Sequence, residues 1–177
     1  MNTPYNTSKR RLGRRLGEAV SLLPVGLCAL AAALGGQGET ARRWMRAEAG
    51  PDVVRPGTAR VAVHAVLTVL LGVLSLVLAA VIFLAVARGL FYGLVDRGPY
   101  DHSWGGPSRA GAWLAHFAAA TPFAVGSTGL LYGVARLHSR MTAPLRGVRR
   151  SVWVLPAVLV SCAAGALFVT GFVRQLP

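Results

Sequence analysis

Apolar residues in this chain come in long blocks rather than in the i, i+3, i+4 stripes of a soluble helix. Residues 61–95 form a run of 35 whose only formal charge is Arg88. Within it, 62–87 would rise about 39 Å at 1.5 Å per residue, enough to cross a hydrocarbon core of about 30 Å with some tilt. The rest of that run, GLFYGLV (89–95), is expected to form an interfacial or kinked end. Residues 112–135 and 152–173 read as second and third spans, with Pro122 and Pro156 expected to kink them. The first block, AVSLLPVGLCALAAAL (19–34), has only 16 residues, short of the roughly 17–25 that a span requires. Pro24 and Gly26 are expected to break it in the middle. The fold class that follows is an all-α integral membrane protein with three transmembrane helices and a short re-entrant or interfacial N-terminal segment. Its parts are a basic tail (1–18), that segment with a basic amphipathic helix (19–60), and a membrane domain (61–177).

Charge decides the orientation. Hydrophobic residues make up 54% of the chain and charged ones 14%, against about 25% charged in a typical soluble domain. The net charge is +13, and 18 of the 19 basic residues are arginine. In a chain rich in Ala, Gly, Val and Leu this has the look of a GC-rich coding bias, so the preference for arginine says little about mechanism. If 19–34 does not cross, segments 1–18, 36–60 and 136–151 share one side with 15 basic residues. Arg97, Arg109 and Arg174 then lie opposite, and Arg88 snorkels to the outer headgroups. If 19–34 does cross, that bias nearly vanishes. The positive-inside rule selects the first arrangement, in a bacterial cytoplasmic membrane, with the N-terminus cytoplasmic and the C-terminus outside. A cleaved signal peptide over 1–35 is the rival reading, opposed by Pro24 and by the arginines just downstream.

Segment 38–49 reads as a short surface helix with Thr40 as its N-cap. Arg42, Arg43 and Arg46 beside Trp44 and Met45 suit an anionic inner leaflet, as do Arg136 and Arg140 after the second span. Nucleic acid is not an expected partner, because no recognition motif or separate soluble domain is present. Gly129 and Gly133 form a GxxxG step, and Ala157, Ser161 and Gly165 a small-residue ladder. Both stripes are expected to pack this chain's own helices, with a homo-oligomer as the alternative. Cys28 and Cys162 are expected to be small buried apolar residues.

The most specific polar feature is the turn-rich stretch DRGPYDHSWGGPSRA (96–110). Tyr100, Asp101, His102 and Trp104 lie there, and His116 follows about one turn into the next span. Histidine titrates near neutral pH and binds metals, and a carboxylate can orient it, so convergence of Asp101, His102 and His116 would suit sensing of a ligand, proton or metal. The spacing matches no metal motif. The plainer alternative is a structural cap, with Tyr100, Trp104 and Trp113 as interfacial anchors. His64 and His116 sit near block ends, where interfacial exposure or an interhelical hydrogen bond accounts for them. No nucleophile–base pair, HExxH, P-loop or dinucleotide fingerprint occurs, and the predicted spans hold no Asp or Glu. No catalytic residue, cofactor or metal is expected, and a transporter acting alone is disfavoured.

The segments YGLVDRGPYDHSWGGPSRAGAWLAHF (92–117) and GVARLHSRMTAPLRG (133–147), and more weakly ARRWMRAEAG (41–50), resemble the sensor membrane domain of many actinobacterial sensor histidine kinases, which also occurs in stand-alone proteins. The resemblance covers about 16–147. It implies signal transduction through a loop that enters a membrane helix and a basic cytoplasmic exit. This chain departs from the pattern in its first hydrophobic region, about half the family's length, and in having no kinase after 173. A sensor-type module that acts through another membrane or signalling protein is therefore expected. An accessory subunit of a larger complex, such as a transporter, is the alternative.

Overall fold

The computed structural model describes residues 4–45, 56–149 and 151–175, with side chains from residue 10 onward. The regular elements among them are helical: α1 (Pro4–Val20), α2 (Leu22–Leu34), α3 (Gly38–Trp44), α4 (Thr58–Ala85), α5 (Tyr92–Val95), α6 (Arg109–Thr142) and α7 (Val154–Val173). α4 runs on into a π-helical turn, Val86–Leu90, and α6 into a 3-10 turn, Ala143–Arg146. Among the described residues, three helices are each long and apolar enough to cross a membrane, Thr58–Leu90, Arg109–Arg146 and Val154–Val173, and α1 with α2 would make a fourth only as one bent span.

Their surfaces have the character of helices whose solvent is apolar. The most hydrophobic stretch of α4 is only 17% buried, and Val63, Leu70, Val73 and Phe83 stand exposed along it. The hydroxyls of Thr68, Ser75, Thr121, Thr128, Thr142 and Thr170 each donate to the carbonyl four residues earlier, at 2.7–3.0 Å. A hydroxyl bonded back to its own helix needs no water.

The chain divides into two compact units, Met1–Val77 with Tyr132–Pro177, and Leu78–Leu131. In the first, α2 packs on α4 through small residues. α4 buries Val61, Ala65, Thr68, Leu71, Gly72 and Ser75, a stripe at helical spacing, and α2 buries Leu22, Gly26 and Ala29. A Cβ on Gly26 would lie 2.9 Å from the Val69 backbone nitrogen, and one on Gly72 would lie 2.5 Å from that of Leu23. The two backbones approach where side chains are missing. The turn at Gly35, Gly36 (φ +75°) and Gln37 brings α3 back beside α2. Ala29, Ala41, Met45, Val61, Ala65 and Leu145 then close one apolar core.

Several expectations are corrected here. Pro24 does not break the first block. It is the third residue of α2, where a missing N–H costs no helical bond, and the 46° bend lies earlier, between α1 and α2. Pro156 likewise occupies the first turn of α7, whereas Pro122 lies inside α6. α3 starts at Gly38 with Gln37 before it, so Thr40 lies inside the helix rather than capping it. Cys28 is exposed, because the packed face of α2 is set by Leu22, Gly26 and Ala29, and Cys162 on α7 is half-buried.

Replacing Gly72 by leucine should cost about 1–3 kcal/mol through forced backbone separation. Thermal melting in mild detergent should register this, while Gly126→Ala, with nothing within 4 Å of an added Cβ, should change the midpoint little. A Gly72→Leu protein that melts like wild type would rule out the α2–α4 contact.

Candidate functional site

The second unit contains the loop that the sequence singles out, and its shape begins with an irregularity in α4. The π-helical turn ends at Leu90, and after Phe91 the chain makes only the single turn of α5. Leu94 and Val95 both donate to the Phe91 carbonyl. The Leu90 carbonyl instead accepts the Trp113 indole N–H at 3.0 Å. The Gly93 carbonyl accepts the Arg109 guanidinium through both Nε and Nη2. Ring packing completes the seam. Gly93 is buried against the Trp113 indole, where a Cβ could not fit, and Tyr92 stacks on the His116 imidazole with centroids 3.7 Å apart and planes 9° from parallel. Arg109, Trp113 and His116 are spaced i, i+4, i+7, one face of a helix.

α6 is started by Ser108, whose Oγ accepts the Gly111 N–H at 3.1 Å while its carbonyl accepts that of Ala112 at 2.9 Å. This is the geometry of a serine N-cap. Gly105 (φ +100°) packs directly against the Gly111 carbonyl, where no Cβ fits. The loop therefore folds back on the first turn of the helix. At its other end, Asp96 Oδ1 accepts the Gly98 N–H at 3.0 Å and the Asp96 carbonyl accepts the Tyr100 hydroxyl at 2.7 Å.

Between these anchors opens a cleft of about 490 Å³. Asp101, His102 and Trp104 from the loop, Tyr92 from α5, and His116 from α6 line it, with Ser103 among them. Of the five residues proposed for sensing, four thus meet at one cleft. Tyr100 does not line it but braces the loop from behind. Trp104 is 79% exposed, whereas His116 is half-buried, its Nδ1 donating to the Ala112 carbonyl at 2.8 Å. That bond lies within α6, so the expected interhelical partner is replaced by the Tyr92 stack. His64 behaves alike, with Nδ1 donating to the Arg60 carbonyl at 2.8 Å. Among the described residues, no three His, Cys, Asp or Glu side chains group as metal ligands would.

The cleft has an electrostatic frame that the sequence reading missed. The Gly98 N–H, and then the Tyr92 hydroxyl, hold the Asp96 carboxyl below the ordinary carboxylate range, with His116 and Arg88 adding to the effect. The same bond to Asp96 raises the Tyr92 hydroxyl above its usual value. The only sequence signal was the i, i+4 spacing of Tyr92 and Asp96 ahead of the turn.

The other proposed positions divide. Gly165 packs on Leu74, and Ala157 and Ser161 share that half-buried side of α7. Gly129 and Gly133 do not pack the chain's own helices. Both are exposed with open space over the Cα, because the buried face of α6 falls on Ser127, Leu131, Val134 and Ala135. Arg42 is not turned to a leaflet either. Its Nη1 donates to the Pro56 carbonyl at 3.0 Å, and its Nε lies 3.3 Å from Glu39. Met45, expected at the same surface, is buried in the core. Arg43, Arg136 and Arg140 are exposed, and Arg46 lies outside the described residues.

No protein-family model, curated protein or solved structure matches this chain.

Because the carboxyl of Asp96 is easier to ionise in the folded protein, its contribution to stability is present above about pH 4. It is lost as pH falls through the lower folded value. Acid melting curves should therefore fall more steeply for wild type than for Asp96→Asn, which keeps an acceptor for Gly98 but has no charge to lose. Parallel curves would contradict this frame.

Proposed function

We propose that this chain is a sensor-type or regulatory module of a bacterial cytoplasmic membrane. It acts through a partner protein, with its N-terminus inside and its C-terminus outside. The observation that carries the reading is the cleft itself. Asp101, His102, Trp104 and His116 converge at a site whose walls are the loop, α5 and the start of α6. Such walls let an occupant bias the Tyr92–His116 seam, and α6 is a continuous helix of 34 residues, about 50 Å at 1.5 Å each. Charge supports the orientation, since basic residues are sparse around the cleft and dense in the segments assigned to the cytoplasm.

In the native host, a deletion strain complemented with Asp101→Asn/His102→Gln/His116→Gln should contain wild-type amounts of the protein in its membranes. It should nevertheless show the expression profile of the deletion strain under envelope stresses such as acid, osmotic shock and metal limitation. A wild-type profile from that variant would overturn the sensing role.

The accessory-subunit reading draws on a different observation, the open face of α6 at Gly126, Gly129 and Gly133. Such a surface suits close approach of another helix. Purification in mild detergent followed by mass spectrometry separates the two readings. A stoichiometric multi-subunit assembly favours the accessory role, and a lone chain or homo-oligomer disfavours it.

A further inference from the structure

A second cavity, of about 220 Å³, lies in the first unit where three candidate spans have their ends. Arg60 and His64 come from the start of α4, Arg140 from the last turns of α6, and Ser151 and Leu155 from the start of α7. Among the described residues no acidic side chain lines it. Among the described residues neither Arg60 nor Arg140 forms a salt bridge, since the ion pairs there engage Glu18 and Glu39. Arg140 is instead held by the Trp153 ring, 5.1 Å from its centroid. Two guanidinium groups that line one cavity repel each other, and the repulsion grows where water is scarce. An anion between them relieves it, and planar guanidinium forks match phosphate oxygens.

The remaining walls give the second half of the specificity. Val63 and Leu67 follow Arg60 down one side of α4 at intervals of three and four residues, and Leu155 faces the same cavity from α7. The polar mouth therefore continues into an apolar trough directed along the span. An ion with no tail would leave that trough unused.

We propose that this cavity binds the phosphate of an anionic phospholipid, with Arg60 and Arg140 on the headgroup and Val63, Leu67 and Leu155 along the first part of an acyl chain. The proposal rests on the membrane reading of the three long helices and places the site at the cytoplasmic leaflet. It goes beyond a diffuse attraction of basic loops, because it assigns one lipid to one cavity.

The full chain reconstituted into nanodiscs of phosphatidylcholine, with and without phosphatidylglycerol, tests it. Thermal melting is followed as phosphatidylglycerol, or inorganic phosphate, is added. Phosphatidylglycerol should stabilise the wild type. Arg60→Gln/Arg140→Gln should weaken that binding about 30-fold, from about fivefold per arginine. Arg10→Gln/Arg11→Gln, on exposed positions of α1, should leave it within about threefold. Equal stabilisation by inorganic phosphate would overturn the lipid assignment in favour of a free anion site. Normal incorporation with no preference for phosphatidylglycerol, or equal losses in both double variants, would overturn the cavity as a site. Failure of the wild type to enter nanodiscs would instead overturn the membrane reading and the proposal with it.

Discussion

The organisation of the loop depends on where two backbone carbonyls find their donors. α4 gives up regular helical bonding at Leu90, and α5 ends after one turn, so the carbonyls of Leu90 and Gly93 are at helix ends. In an apolar or interfacial setting a carbonyl without a donor costs about 1–3 kcal/mol. The Trp113 indole and the Arg109 guanidinium supply those donors from one face of α6. Once they do, the chain between them is a closed loop of limited reach. Ser108 starts α6, Gly105 lies against it, and the loop side chains turn toward Tyr92 and His116. The cleft is thus the by-product of a helix that stops early and a second helix that repairs the stop.

The same economy of polar groups runs through the long helices. Their threonines and serines bond their own carbonyls, their outward faces are apolar, and close contacts such as Gly72 against Leu23 and Gly165 against Leu74 use missing side chains rather than charged pairs. These are devices for packing without a hydrophobic drive between helices. Arg42 is neutralised locally by Glu39, while Arg60 and Arg140, at the ends of α4 and α6, line one cavity.

The three long helices were legible in the sequence, since long uninterrupted apolar runs mark helices able to cross a membrane. The loop was legible because Gly-Pro and Gly-Gly turns announce it, and four of the five residues singled out there, which stand out beside apolar runs, line the cleft. Prolines were misjudged. Pro24 and Pro156 act by their position within a helix, and that position depends on a start that no residue marks strongly. Of the two small-residue stripes, only the GxxxG step of α6 departs from expectation. Gly129 and Gly133 have the same spacing as a packed seam, yet the heavier residues Leu131 and Val134 decide which face turns inward. The carbonyl clamp was illegible, because a π-helical turn has no composition of its own. Arg109 and Trp113 looked like a flanking charge and an interfacial ring until the two freed carbonyls came into view.

Hydrogen exchange read by mass spectrometry on Arg109→Met/Trp113→Phe is the most direct test of that clamp. The pair removes both donors and keeps the apolar bulk. Peptides within residues 90–108 should exchange markedly faster than in wild type, while those within 22–34, in the other unit, should keep their wild-type rates. Unchanged protection across 90–108 would contradict the account, for the loop would then be holding its shape without the bonds assigned to it.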